Sequence, residues 1–545
     1  MGKFRKISYT WAVREIELFI VLLAIITALA EVGDRVRIPY PILLVLAGIA
    51  IGSLPGLPHV ELNPEVVFLV FLPPLLYAAA WSTSWPDFKA ARRPISLLAL
   101  GCVLFTTTLV AVVAHQFIPG FDWPTAFVLG AIISPPDAVA ATTAIKGLGI
   151  PRRVVTVLEG ESLVNDATGL IAYRYAIAAV LTGQFVLWQA GVQFLLVAGA
   201  GIATGLAIGW LIYRVHLITP DNPVGETSLT FLTPYVAYLA AEELGGSGVL
   251  AVVAAGLFLS WRSAEIFSTQ TRLQAYAVWN TIVFLLNGVV FILIGLQLPA
   301  ILAGIGHFSP LALVGYGALV SGAVIVGRLL WVYPGTYLPR WASRQIRERE
   351  PDTTVKLVTV VAWTGMRGVV SLAAALALPL TVRPGVPFPQ RDLILFLTFC
   401  VIFSTLVLQG LSLPLLIRWL GIQPDGREAK AEWETRLQLA YDTIEYIEGS
   451  LSLGQVSDEV LNQIKTKYEI RIQRLRNQSG MNVTGRIDEG QIVQFHQLQA
   501  DILRLERDSV GRLRKAGRIS DETLRRLEYE LDLEESRLLL EKGEA

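Results

Sequence analysis

The chain has 545 residues, 53% of them hydrophobic, 45 Lys/Arg against 45 Asp/Glu, and a mean hydropathy of +0.54. That is the balance of a polytopic membrane protein and argues against a wholly water-soluble one; no nucleic acid is expected among its partners. The charge is unevenly placed, with 19 Lys/Arg and 24 Asp/Glu from Asp425 onward, so 1–424 reads as a transmembrane domain and 425–545 as a separate cytoplasmic module.

In chain order, 13 apolar runs of spanning length occur: 16–32, 38–56, 65–82, 95–118, 124–146, 153–182, 185–214, 228–244, 246–261, 275–300, 309–333, 355–380 and 392–420. The fold class expected is an all-α polytopic membrane protein. The first run is followed by charges rather than a small-residue cleavage site, so no cleavable signal peptide is evident. Cys102 and Cys400 fall in apolar runs without metal-ligand spacing and read as small core residues. Basic residues follow the odd-numbered runs: Lys89, Arg92 and Arg93, then Lys146, Arg152 and Arg153, then Arg214, Arg262 and Arg272, and a cluster from Arg340 to Lys356. The positive-inside rule places those connections and the tail in the cytoplasm and the N-terminus outside, against the weight of Lys3, Arg5, Lys6 and Arg14.

Two runs are interrupted. The fifth contains Ser134-Pro135-Pro136-Asp137, and two prolines in succession unwind a helix near mid-membrane. The twelfth contains Gly365-Met366-Arg367-Gly368, a charge flanked by glycines. Interrupted segments in corresponding places of two halves point to a transporter site built from inverted repeats, where half-helix ends present free carbonyls and amides. Pro73-Pro74 in the third run shows that a proline pair alone is not diagnostic. In the tail, Leu524, Leu527, Leu531 and Leu538 follow helical spacing, with Ser520 as N-cap after Gly517 and with Gly480 and Gly490 in loops, which reads as a helical bundle or a coiled-coil partner of a dimer mate.

The sixth run carries the densest polar stretch, Glu159-Gly-Glu-Ser-Leu-Val-Asn-Asp166. A charge near the bilayer centre costs at least about 2.5–3.5 kcal/mol on insertion scales, so an ionisable residue there is a functional candidate by default. On a helix Ser162 and Asp166 share one face, with Glu161 and Asn165 on the adjacent stripe. A hydroxyl, Asp166 and a second carboxylate, Asp137 from the broken run, form an oxygen-only set suited to a hard cation such as Na⁺. The competing reading of Asp166 is a carboxylate paired with Arg or Lys to pin helices. A carboxylate that binds either H⁺ or a cation is the minimum machinery for exchange, and with Asn165 rather than a second acid beside it the simplest stoichiometry is one for one. Arg367 needs a partner in lipid, and Glu161–Arg367 is the expected scaffold ion pair. Arg174 reads as an interfacial snorkeller, Glu159 as a funnel or surface charge, Glu242 and Glu243 as loop-facing, and Arg328 as paired with an acid or a carbonyl, with no role in chemistry.

The pairing of Ser-Pro-Pro-Asp-Ala-Val-Ala at 134–140 with Gly-Glu-Ser-Leu-Val-Asn-Asp-Ala at 160–167 resembles the monovalent cation–proton antiporters of the Na⁺/H⁺ exchanger type. Ile38-Pro39-Tyr40-Pro41, Phe71-Leu72-Pro73-Pro74-Leu75-Leu76 and Gly365-Met366-Arg367-Gly368-Val369-Val370 are similar to the same family, and the resemblance covers about 16–420. It implies a homodimer with a dimerisation domain and a moving core, in which the broken helices cross and transport is elevator-like. Asp166 resembles the family's ion-binding aspartate, Ser162 its hydroxyl ligand and Asp137 the acid of the broken helix. Asn165 is similar to the neighbour that holds Asp137 and marks the electroneutral branch, and Glu161 with Arg367 to the core ion pair. Many relatives have Thr where this chain has Pro136, whose carbonyl remains to coordinate a cation.

The resulting expectation is an antiporter of the cytoplasmic membrane that exchanges Na⁺, or Li⁺, for H⁺ with no cofactor. K⁺/H⁺ exchange by the same machinery is the close alternative. An intramembrane aspartyl protease using Asp137 and Asp166 would carry Gly-x-Gly-Asp on its second catalytic helix, and none occurs near Asp166. A membrane zinc protease lacks its His-Glu-x-x-His ligands, and a channel has no use for a carboxylate at which H⁺ and the ion compete.

Overall fold

The computed structural model describes residues 20–33, 35–36, 38–54, 67–145, 148–183, 187–219, 222–306, 308–350, 353–383, 385–422, 427–452, 458–478, 489–516, 518 and 521–543. The chain divides into two compact units, Met1–Pro424 and Asp425–Ala545.

Unit one is a bundle of apolar helices. In order come α1 (Ile20–Gly33), α2 (Tyr40–Gly52), α3 (Phe68–Ser82) and α4 (Arg92–Phe117). The interrupted run gives α5 (Trp123–Ile133) and α6 (Ala138–Ile145), and the acidic run gives α7 (Arg152–Thr182). Then follow α8 (Leu187–Ile218), α9 (Pro223–Glu243), α10 (Gly248–Ile266), α11 (Thr269–Leu296) and α12 (Pro310–Ala342). The twelfth run splits into α13 (Val355–Trp363) and α14 (Val369–Leu376), and α15 (Arg391–Trp419) closes the unit. Among the described residues seven helices are long and apolar enough to cross a membrane, and α1, α2 and α3 are shorter apolar helices. Exposed Trp188, Leu195, Leu196 and Ile218 on α8 show an apolar outer surface that only lipid or another apolar partner satisfies.

Local sequence explains the breaks. Pro135 and Pro136 bring no amide to continue α5, and Ser134–Asp137 is non-helical apart from its first turn. Thr364–Gly368 is likewise unwound between α13 and α14. Pro73 and Pro74 do not break α3, because they fall in its first helical turn just after a π-turn at Val67–Phe71, where an amide is not required. The junction at Gly245-Gly246 is a true turn: Gly245 takes φ +71°, and the Ser247 hydroxyl caps α10 by accepting from Leu250 N. A second π-turn, Thr405–Gln409, lies within α15 and turns Thr405 and Gln409 inward.

The tail contains α16 (Arg427–Ser452), α17 (Asp458–Gln478), α18 (Glu489–Lys515) and α19 (Asp521–Gly543). Lys465 of α17 reaches Glu448 of α16 at 2.7 Å, and Arg507 of α18 bridges Asp532 and Glu535 of α19 at 2.7 Å each. Leu524, Leu531 and Leu538 are buried, as their spacing predicts. Gly490 lies in the first turn of α18, at a helix end as a glycine bounding a loop would, while Gly480, Gly517 and Ser520 fall outside the described residues.

Candidate ion-binding site

The two breaks meet. Asp137 N donates to Met366 O at 2.7 Å, a backbone bond joining one unwound segment to the other. The approach is so close that a Cβ on Gly368 would lie 2.0 Å from Asp137 Oδ2. Asp137 Oδ1 accepts from Val139 N at 2.8 Å, so its carboxylate caps α6 while facing the first residues of α14. The positive ends of two half-helices therefore converge on one carboxylate.

α7 runs past this crossing and supplies the rest. Asn165, fully buried, donates from Nδ2 to Pro136 O at 2.7 Å and so fixes the carbonyl that the prolines release. A carbonyl has two lone pairs, and one remains for a cation. Ser162 Oγ accepts from Ala138 N at 3.3 Å, which leaves its own proton and a lone pair free. Asp166 is 8% exposed, lies within electrostatic reach of Asp137, and receives no hydrogen bond among the described residues. Asp137, Ser162 and the Pro136 carbonyl thus come together where both helices are interrupted, with Asp166 within electrostatic reach of Asp137. Among the described residues no three His, Cys, Asp or Glu side chains converge as transition-metal ligands do.

The expected Glu161–Arg367 pair does not form. Glu161 instead takes Arg328 of α12, whose Nη1 and Nη2 donate to its two oxygens at 2.5 and 2.7 Å, with both side chains buried. Arg328 Nε also donates to Val361 O at 3.2 Å and so ties α12 to α13. The Arg328 guanidinium meets the carboxylate with two parallel bonds, the geometry in which an arginine–carboxylate pair is strongest. Arg367 is itself buried, with Nε and Nη1 unpartnered among the described residues, and its backbone amide donates to Thr405 Oγ1 at 3.1 Å. Arg174 does more than snorkel. Its Nη2 donates to both oxygens of Glu242 at 2.9 and 3.1 Å, joining α7 to α9, and Glu242 also accepts from Gly248 N. Glu159 is half-buried on α7.

Sequence reading missed several supports. Thr107 of α4 donates to Ser134 Oγ at 2.9 Å and steadies the first break, as Thr405 does for the second. Tyr40 lies within electrostatic reach of Asp137. Arg328 is not among the missed supports: the expected acid or carbonyl partner is found twice over, in Glu161 and Val361 O.

The transmembrane sodium/hydrogen exchanger family matches residues 19–419. An uncharacterized Na⁺/H⁺ exchanger of Mycobacterium tuberculosis is 33% identical over 539 residues, covering 95% of this chain and 96% of that protein. A sodium, potassium, lithium and rubidium/H⁺ antiporter of Bacillus pumilus is 33% identical over 511 residues, 90% of this chain and 74% of that one. The solved sodium/proton antiporter MjNhaP1 of Methanocaldococcus jannaschii superposes with a TM-score of 0.58 at 19% identity, covering 74% of this chain and 98% of that chain, a likeness of fold. The chain belongs to the transmembrane sodium/hydrogen exchanger family and is a cation:proton antiporter, not an enzyme.

Proposed function

We propose that the protein exchanges Na⁺, or Li⁺, for H⁺ one for one, with the two ions competing for Asp166. The observation that carries this reading is a buried Asp166 carboxylate with no hydrogen bond among the described residues, beside Asp137, Ser162 and the Pro136 carbonyl. Glu161 is already matched by Arg328, so the exchanged charge falls on the remaining carboxylates. Asn165 adds no further charge beside Asp166, which favours an electroneutral cycle. In this reading 13 spans form two inverted repeats in a transmembrane antiporter domain, 1–424, of a cell-membrane homodimer, with 425–545 as a cytoplasmic helical domain. The core carrying both breaks moves as an elevator against a fixed scaffold, and the physiological output is pH and sodium homeostasis. K⁺/H⁺ exchange is the second reading, favoured by the Bacillus pumilus relative whose name includes potassium and rubidium.

The test is dissipation of a pH gradient in proteoliposomes by Na⁺, Li⁺ or K⁺, with and without a clamped membrane potential. The expected result is collapse by Na⁺ that ignores the potential and disappears in Asp166→Asn. Collapse by K⁺ alone changes the substrate and keeps the site; undiminished exchange in correctly inserted Asp166→Asn removes it.

A further inference from the structure

The exchange reading uses a buried carboxylate outside every ion pair, and the bundle contains a second one far along the chain. Glu226, in the first turn of α9, is 2% exposed, and neither of its oxygens has a hydrogen-bond partner among the described residues. The adjacent Thr227 hydroxyl is also buried without a partner. Glu226 is thus a buried carboxylate whose oxygens are met by no donor among the described residues, a polar group whose burial nothing offsets.

The arginines on the helices packed against α9 are engaged elsewhere. Arg214 of α8 is exposed over the Trp210 ring, Arg262 of α10 pairs with Glu265 at 2.8 Å, and Arg272 of α11 donates to Phe267 O at 2.7 Å. His216 of α8 stands edge-on to Phe267 with both ring nitrogens unpartnered, and Tyr77 is the titratable group on α3.

From Glu226 a polar stripe continues along the buried face of α9 through Thr227, Thr230 and Thr233. The Thr230 hydroxyl accepts from Trp279 Nε1 at 3.0 Å, and Pro234 within α9 brings no amide to the carbonyl of Thr230 four residues earlier. Thr233 lies beside Tyr77, whose hydroxyl is otherwise unpartnered. Tyr77 packs in one cluster with Leu163 and Ala167 of α7, which flank Asp166 in sequence, and with Val370 of α14 next to the second break. Oxygen atoms thus follow α9 from its first turn to Tyr77, and apolar packing joins Tyr77 to the segment that carries Asp166.

We propose that Glu226 is a relay carboxylate for this antiporter. It takes up the cation or proton on the cytoplasmic side of Asp166, with the Thr227 hydroxyl as a neutral ligand and the α9 threonines with Tyr77 as the onward path. The inference rests on the antiport reading and on the orientation that puts the α8–α9 connection in the cytoplasm.

The experiment measures exchange by the full-length protein in proteoliposomes of a single orientation, varying Na⁺ on one face at a time. In Glu226→Gln the cytoplasmic-side KM for Na⁺ is expected to rise by about tenfold or more, as removal of a focusing charge does, while the opposite-side KM stays unchanged. Glu226→Asp restores most of the loss, and Thr227→Val gives a smaller shift on the same side. Wild-type KM on both sides in Glu226→Gln overturns the relay. So does an equal loss on both sides that Glu226→Asp fails to rescue, which marks Glu226 as a packing residue. Asp166→Asn run in parallel separates the two ideas: if it abolishes exchange while Glu226→Gln leaves it intact, the relay alone fails. If Asp166→Asn exchanges normally, the assignment of the ion site to Asp166 fails, and the relay that leads to it falls with it.

Discussion

At Gly368 the crossing of the two breaks is decided by a single hydrogen atom. A methyl group there would sit 2.0 Å from Asp137 Oδ2, and the carboxylate has little room to retreat because Oδ1 is held by Val139 N and the backbone amide by Met366 O. Gly368→Ala is therefore expected to push the two segments apart and lower exchange by about 100-fold, the scale of a misplacement near 1 Å, while the protein still inserts and elutes as wild type. Wild-type exchange in Gly368→Ala would remove Asp137 from the crossing. At this scale the sequence singles out residues that the fold then brings to the crossing or close beside it. Asp166, Asp137 and Ser162 stand out because polar groups in apolar runs are costly. It was silent about which arginine Glu161 takes, because Arg328 and Arg367 are both buried, and only the reach of the Arg328 side chain from α12 shows that it is the one.

Between elements, that ion pair is the main electrostatic tie from α7 to α12, and the Nε bond to Val361 O extends it to α13. Removing one partner leaves the other as an uncompensated buried charge, a loss of about 3–5 kcal/mol, whereas replacing both by apolar groups of similar volume is often neutral. Glu161→Gln and Arg328→Gln are thus each expected to lower thermal stability sharply, and Glu161→Leu combined with Arg328→Met to recover most of it. A thermal-unfolding cycle with independent, additive losses would show that the pair does not couple the helices. Arg367→Gln, by contrast, should leave stability nearly as it is, because its Nε and Nη1 have no partner to lose among the described residues. The element pattern was legible wherever a residue forbids helix: Pro135-Pro136 and Gly365…Gly368 mark both breaks. The π-turns at Val67–Phe71 and Thr405–Gln409 were not, since Leu, Val, Thr and Gln carry no local preference for an extra residue per turn, and the inward aim of Thr405 depends on the segment it must hold.

Across the whole molecule, an elevator requires the helix bearing Asp166 to part from a helix that stays behind, and Arg174–Glu242 spans such a boundary. It links α7 to α9 at 2.9 Å, with the two side chains 57% and 32% exposed. An exposed pair of this kind contributes at most about 1 kcal/mol, so it can hold one state and still release within a transport cycle. A covalent bridge cannot. With Cys102 and Cys400 replaced by alanine, Arg174→Cys and Glu242→Cys can be joined by a short, cleavable bifunctional thiol reagent. The uncrosslinked double variant is expected to exchange ions, the bridged protein to stop, and cleavage of the bridge to restore the rate. If the bridged protein exchanges at the uncrosslinked rate, α7 and α9 do not separate during transport. Asp166 would then have to reach both faces of the membrane by local opening and closing around a fixed site, and the elevator would be wrong even though the ion site stood.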